Sequence, residues 1–296
     1  MRLIRSIPLL AALALLLGLA APVSAITWGQ FDGEGHPHVV NLLFVQNGDG
    51  FFSCTGTLLS PTVVLTAAHC TGWLDEDGNL QPNDVTYVTN AADINVLIDE
   101  TYSDYPSTTA WLEGEWVGGQ AVPHPDYAEF AEFPNTFDIG LVLLEGDGID
   151  TGGVYGTLPT QIGQFDYLRT KKASPANRMV EVVGYGLVGR IPAFANDEIW
   201  QRQVGYSTII NTGQSANAGP QNFIFTNNPG KGTGVGGTCS GDSGGPAFWI
   251  DPATGLATTL IVAVNSYGIA PNCNGNDYQF RTDTAAALNF VSQYWP

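Results

Sequence analysis

Ser243 stands in the run Gly237-Thr238-Cys239-Ser240-Gly241-Asp242-Ser243-Gly244-Gly245-Pro246. Glycines on both sides permit a tight turn that presents the hydroxyl while backbone N–H groups point into the same small space. Acyl transfer needs both, a nucleophile and donors for the oxyanion that its attack creates. Gly-x-Ser-x-Gly also describes the nucleophile elbow of an α/β-hydrolase, but there the histidine follows the serine. Here His36, His38, His69 and His124 all precede Ser243, which excludes that fold. A serine hydroxyl needs a general base at neutral pH, and the base needs an acceptor that fixes its tautomer. His69, in Leu65-Thr66-Ala67-Ala68-His69-Cys70, directly follows the apolar run 62–65. Asp138 opens the buried-strand pattern of 137–144, where a bare carboxylate is costly unless hydrogen-bonded.

Groups this far apart in the chain need a scaffold of short elements to bring them together. Residues 39–45 read as a strand, Asn47-Gly48-Asp49-Gly50 as a hairpin turn, and 51–59 as the returning strand, ended by Pro61. A third strand, 63–67, carries His69 to its edge. The stretch 71–120 is acidic and aromatic, with strands expected at 85–88 and 94–98 and one or two enlarged loops. The Gly/Asp-rich run 145–153 links two lobes. In the second lobe, 179–185, 202–210, 222–226, 246–250 and 260–266 are short, β-branched or aromatic and separated by turns, which argues an antiparallel barrel. Thr282-Asp283-Thr284 caps a final helix with Leu288, Val291 and Trp295 on one side.

Thr66-Ala67-Ala68-His69-Cys70, Asp138-Ile139-Gly140-Leu141 and Gly241-Asp242-Ser243-Gly244-Gly245-Pro246 together resemble the trypsin/chymotrypsin-like serine protease family, over about residues 26 to 296. The resemblance implies an all-β fold: two antiparallel six-stranded β-barrels packed at a central cleft, with a C-terminal α-helix. The N-terminal barrel would take about 26–150, and the second barrel and helix about 151–296. It implies an endopeptidase acting on proteins and peptides through an acyl-enzyme. His69 is then the general base, Asp138 its orienting partner, Ser243 the nucleophile, and the N–H groups of Gly241 and Ser243 the oxyanion hole. Gly237 would lie at the base of the pocket for the side chain before the scissile bond, with Ser266, Tyr267 and Gly268 as one wall. Trypsin-like members carry an aspartate where Gly237 stands, so the open entrance and the Tyr267 face favour a large apolar side chain. Asp277, in the segment that returns past the pocket, keeps a basic side chain as the other reading. A non-catalytic homologue acting as a binding module, or an esterase with the same three residues, are the alternatives, although none of His69, Asp138, Ser243, Gly241 and Asp242 is missing.

Arg2, Arg5, the apolar run 7–23 and the small residues of Ala21-Pro22-Val23-Ser24-Ala25 read as a secretory signal peptide over 1–25, so a secreted, extracellular protein is expected. No later stretch is apolar and long enough to span a bilayer. Cleavage after Ala25 would leave Ile26 as the N-terminus, and by the resemblance its ammonium would pair with Asp242 and hold the oxyanion-hole backbone in shape. Four cysteines in an exported chain suggest two disulfides, with three pairings open. Local pairing would staple the His69 and Ser243 segments, and the resemblance implies the same pairs, Cys54–Cys70 and Cys239–Cys273.

The net charge of −18 is lopsided, with 21 acidic residues and no Lys or Arg between 26 and 168. A surface of that sign repels nucleic acid and anionic membranes. No cofactor or metal is expected. Asp75-Glu76-Asp77-Gly78-Asn79 is acidic enough for calcium but lacks EF-hand spacing. His36 and His38 read as surface or packing residues and His124 as part of a turn. A monomer is expected.

Overall fold

The structure, a computed structural model, describes residues 26–27, 29–48, 50–129, 133–170, 174, 176–187, 200–210, 218–227, 236–270 and 273–295. Residues 1–25, read from the sequence as a signal peptide, lie outside them, as do Trp28 and Asp49. From Ile26 the chain enters a two-residue strand, β1 (Gln30–Phe31). The first apolar run follows as β2 (Val39–Val45), then β3 (Phe51–Ser60) and β4 (Val63–Thr66). A hairpin of β5 (Gly72–Leu74) and β6 (Leu80–Pro82) leads to β7 (Val85–Thr89). Two helices, α1 (Ile94–Thr101) and α2 (Thr108–Glu115), then precede β8 (Val117–Pro123) and β9 (Gly140–Leu144).

Strands β2, β3, β4, β9, β8 and β7 close into a barrel, each neighbour antiparallel. Its core includes Val40, Leu42, Leu58, Val64, Leu65, Val88, Leu141 and Val142, all buried. The strand expected at 94–98 is helix α1 instead. Ile94, Leu97 and Ile98 satisfy a helical face as well as a short strand, and the Asp93 side chain decides the matter by accepting the Asn95 N–H at 3.0 Å as an N-cap.

The second lobe holds β10 (Met179–Gly184), β11 (Gln203–Thr208), β12 (Asn222–Thr226), β13 (Pro246–Asp251), β14 (Leu256–Gly268) and β15 (Asn276–Arg281). They form a seven-stranded sheet in the order β1, β11, β10, β13, β14, β15, β12, where a six-stranded barrel was expected. The reason lies on the free edge of β11. There β1 pairs with Gln203 and Val204, and β12 reaches only the far end, through the bridge Ile209–Phe225 and the Ile210 N–H to Ile224 carbonyl bond of 2.8 Å. The final helix, α3 (Ala285–Val291), starts as expected, with Thr284 Oγ1 accepting the Ala287 N–H at 3.0 Å. Its buried face is Ala287, Phe290 and Val291. No helix among the described residues is long and apolar enough to cross a membrane.

The lobes are joined by a buried charged network that centres on His36. Asp32 accepts Arg202 Nε at 2.7 Å and the His36 backbone N–H at 2.9 Å, and its other oxygen lies 2.7 Å from His36 Nδ1. His36 Nε2 lies 3.0 Å from Glu181 Oε1 on β10. With a carboxylate on each ring nitrogen, both nitrogens donate and the ring is an imidazolium. Burial works against that charge, but the bonds and charges of Asp32 and Glu181 outweigh it and raise the pKa to about 9. A pKa raised from about 6.5 in the unfolded chain adds stability that is complete below pH 6.5 and lost as pH climbs through 9. The full contribution is about 3 kcal/mol. Buried Asp242 also loses stability over part of this range, so the test is a difference. Urea midpoints at pH 6 and pH 9.5 are expected to fall more for the wild type than for His36→Gln. Equal falls would show that His36 carries no charge in the folded state.

Candidate active site

His69 sits in the single turn Ala68–Cys70 that ends β4. The Cys54–Cys70 disulfide, with a Cα separation of 6.1 Å, ties this turn to β3. Asp138 immediately precedes β9 and is buried. Before it, Phe137 takes a left-handed backbone (φ 49°) and stacks on His124 at 5.2 Å, so the segment that holds His124 packs against the turn leading into Asp138. Asp138 Oδ1 accepts the His69 backbone N–H at 3.0 Å, and Oδ2 lies 2.9 Å from His69 Nδ1. Ser266 Oγ donates to Oδ2 at 2.5 Å. Nδ1 therefore carries the proton and Nε2 is left with its lone pair, the tautomer a general base needs.

Burial would raise the Asp138 pKa, yet the His69 charge and the bonds from His69 and Ser266 hold it below the usual carboxylate range. Burial likewise disfavours imidazolium, and the Asp138 charge and hydrogen bond reverse this and hold His69 above its ordinary value. The His69 side chain is 32 % exposed, so solvent still reaches the imidazole.

Ser243 lies in the turn before β13, held by Asp242 N–H to Cys239 carbonyl at 3.0 Å and Gly245 N–H to Asp242 carbonyl at 2.8 Å. Its own carbonyl accepts the Thr55 N–H at 2.8 Å. The Thr55 hydroxyl donates to the Gly241 carbonyl at 2.9 Å and accepts the Tyr185 N–H at 3.1 Å. Thr55, fully buried next to Cys54, thus couples the first barrel to the Ser243 turn. Nothing in the sequence marked it beyond a polar residue inside an apolar strand. Gly244 (φ +79°) is required here, because any Cβ would overlap the Thr66 hydroxyl, three residues before His69. Among the described residues no hydrogen bond joins Ser243 Oγ to His69. Such contacts are often long in the absence of substrate. The Gly241 and Ser243 N–H groups likewise have no acceptor among the described residues, and they belong to the turn that presents Ser243.

Beside Ser243 lies a cavity of about 350 Å³ lined by Thr238, Ser266, Tyr267, Gly268 and Asp277, among others. Four of the five residues expected at the pocket are therefore brought together. Gly237 is not among the lining residues, because a side chain at 237 would point at the buried amide of Asn227, which fills that space. Burial pushes the Asp277 carboxyl up to about 6, against the bonds it accepts from Thr238 and Asn227.

Ile26 is fully buried in the core of the second lobe, and the next residue, Thr27, donates its N–H to the Gly237 carbonyl at 3.0 Å. Asp242 accepts N–H bonds of 2.8 Å from Gly186 and Cys239, and burial pushes its carboxyl up to about 8. Cys239–Cys273 closes the second disulfide, and together with the first it fits an extracellular protein. Both cysteines near His69 are consumed by Cys54–Cys70, which removes the one metal-like grouping among the described residues. The 75–79 loop folds onto Asp75, which accepts N–H bonds from Asp77 and Asn79 at 3.0 and 2.8 Å.

The sequence model of the family described as Trypsin matches residues 29–291. The chain belongs to the trypsin family. It is 30 % identical to granzyme F of Mus musculus over 148 residues, half of each chain, and 32 % identical to a trypsin of Saccharopolyspora erythraea over 113 residues, 38 % of each. It thus spans half or less of the length of these relatives. In fold it is similar to HL collagenase, with a TM-score of 0.59 at 16 % identity, covering 92 % of this chain and 97 % of that one. A thermostable serine protease from an extremophilic microorganism gives 0.55 at 18 %, covering 88 % and 99 %. Family and relatives support a hydrolase.

Proposed function

We propose that this chain is a secreted serine endopeptidase that cleaves protein and peptide substrates through an acyl-enzyme, with the catalytic unit spanning 26–296 in lobes of about 26–150 and 151–296. Ser243 attacks the carbonyl, His69 takes and returns the proton, Asp138 orients His69, and the N–H groups of Gly241 and Ser243 receive the oxyanion. The observation that carries this reading is the doubly anchored Asp138, which bonds both His69 and Ser266, a residue that also lines the cavity beside Ser243. Treatment with a fluorophosphonate should add the phosphonyl mass to the Ser243 peptide and block cleavage of a peptide panel. An unlabelled Ser243 rejects the assignment, and ester turnover without peptide cleavage favours the esterase.

Signal peptidase cleavage before Ile26 would create the ammonium that neutralises Asp242. The buried Ile26 and the cation-poor surroundings of Asp242 support this step. N-terminal sequencing of secreted active protein is expected to begin at Ile26. Full activity in a protein with extra residues before Ile26 would rule out the pairing.

Asp277 in the cavity favours a basic side chain before the scissile bond, with Tyr267 offering an aromatic face to apolar ones. The Asp277 carboxyl, raised to about 6, is mostly neutral below that pH and charged above it. Between pH 5 and 7 the charged fraction grows about tenfold, and the kcat/KM ratio for Arg over Phe substrates is expected to grow in step. His69 titrates for both substrates and cancels in the ratio. A ratio that is flat across this interval would show that Asp277 does not meet the substrate.

A further inference from the structure

Asn227 follows β12 and is buried, with its backbone N–H on the Gly275 carbonyl at 2.9 Å. Its side-chain amide has a fixed direction. Nδ2 donates to the Thr238 carbonyl at 2.9 Å and to Asp277 Oδ2, and Oδ1 accepts the Thr238 backbone N–H at 3.3 Å. The Thr238 hydroxyl donates to the same Asp277 oxygen. Asp277 Oδ2 is thereby saturated from the rear of the cavity. The other oxygen, Oδ1, faces Gly268, another lining residue, and a Cβ at 268 would come within 2.7 Å of it. The same amide overlaps the volume that a side chain at Gly237 would need.

We propose that Asn227 is a positioning residue for substrate selection. It holds Asp277 Oδ2 so that Oδ1 meets a cationic substrate side chain, and by filling the space beside Gly237 it leaves Asp277 as the seat of negative charge in the cavity. The inference rests on the reading of Ser243 as nucleophile and of the cavity as the site for the residue before the scissile bond. A neutral amide suits this place. It donates to the carboxylate and adds no further anion to an interior that already holds Asp242 and Asp277. A basic ligand completes the set by giving Oδ1 a charge-assisted partner.

The test compares two peptides that differ only by Arg or Phe before the cleaved bond, with active enzyme counted by fluorophosphonate labelling. Asn227→Ala is expected to lower kcat/KM for the Arg peptide at least tenfold, mainly through KM, with a threefold loss at most for the Phe peptide. In the Asp277→Asn background, where the Arg advantage is already gone, the same substitution should move the Arg to Phe ratio less than twofold. Equal losses on both peptides, or a full further loss in the Asp277→Asn background, would show a purely structural role and overturn the proposal. Gly237→Ala reads the same contact from the other side should Asn227→Ala fold poorly. Its methyl displaces the amide, and a tenfold fall in the Arg to Phe ratio is expected, whereas an unchanged ratio overturns the proposal. A wild-type enzyme that labels and cleaves the Phe peptide without any Arg advantage defeats this inference and the basic preference read from Asp277, and leaves the protease reading standing. One that neither labels nor cleaves defeats the protease reading with it.

Discussion

Ser243→Ala is expected to lower kcat on peptide substrates on the order of 10⁶-fold, the scale found when the nucleophile of such a triad is removed, while the urea midpoint barely moves. The two effects separate because of where the hydroxyl sits. Ser243 is partly exposed and its Oγ makes no hydrogen bond among the described residues, so its loss strands no buried partner. The bonds that shape the turn are all made by backbone atoms or by other side chains. The Ser243 carbonyl still accepts from Thr55, and Gly244 N–H still reaches the Asn265 carbonyl at 2.8 Å. The alanine variant therefore keeps the backbone N–H groups of residues 241 and 243 proposed to receive the oxyanion, together with the cavity, and should bind a peptide with little change in affinity. Activity above a few per cent of wild type, with Ser243→Ala confirmed by mass spectrometry, would mean that another group attacks the carbonyl. A large fall in midpoint would mean that the hydroxyl is structural.

What the sequence made legible was chemistry placed at strand ends. His69 follows β4, Asp138 precedes β9 and Ser243 precedes β13, and each lies beside small residues with a recognisable pattern. What it hid came from contacts between distant segments. Residues 94–98 fit two periods equally, and only the Asp93 cap chose the helix. β1 has two residues, too few to show a period, yet it takes the edge of β11 at Gln203 and Val204, and among the described residues β12 meets that end of the sheet through the Ile209–Phe225 bridge. β15 reads as polar because Asp277, Gln279 and Arg281 lie buried, where Asp277 accepts from Asn227 and Thr238, the Gln279 amide donates to Asn265 and Arg281 pairs with Asp283. The same holds at the pocket. Gly237 was placed at its base by position in a motif, but the space a side chain there would need is taken by Asn227, ten residues earlier. Arg202 and His36 share this blindness, since a buried charge is tolerated only once its partners are in place, Asp32 from the segment after β1 and Glu181 from β10.

Asp138→Asn is expected to lower kcat about 10⁴-fold, a figure taken from the general Ser-His-Asp template, itself drawn from this family. The direction follows from the hydrogen bonds seen here. Asp138 Oδ1 faces two donors, the His69 backbone N–H at 3.0 Å and Nδ1 at 3.1 Å, and Oδ2 faces Nδ1 and the Ser266 hydroxyl. A carboxamide keeps one acceptor oxygen. Its NH₂ cannot face the fixed backbone N–H, so the oxygen stays at Oδ1 and the NH₂ takes the Oδ2 place. Ser266 can adapt by rotating its hydroxyl to accept. His69 can adapt only by accepting at Nδ1, which moves its proton to Nε2 and leaves no lone pair for Ser243. Removing the carboxylate charge also withdraws what holds His69 above its ordinary pKa, and the residual activity should rise through a lower pH than in the wild type. A variant that loses less than tenfold in kcat, or whose acidic limb stays in place, would show that Asp138 neither fixes the tautomer nor supports the charge of His69.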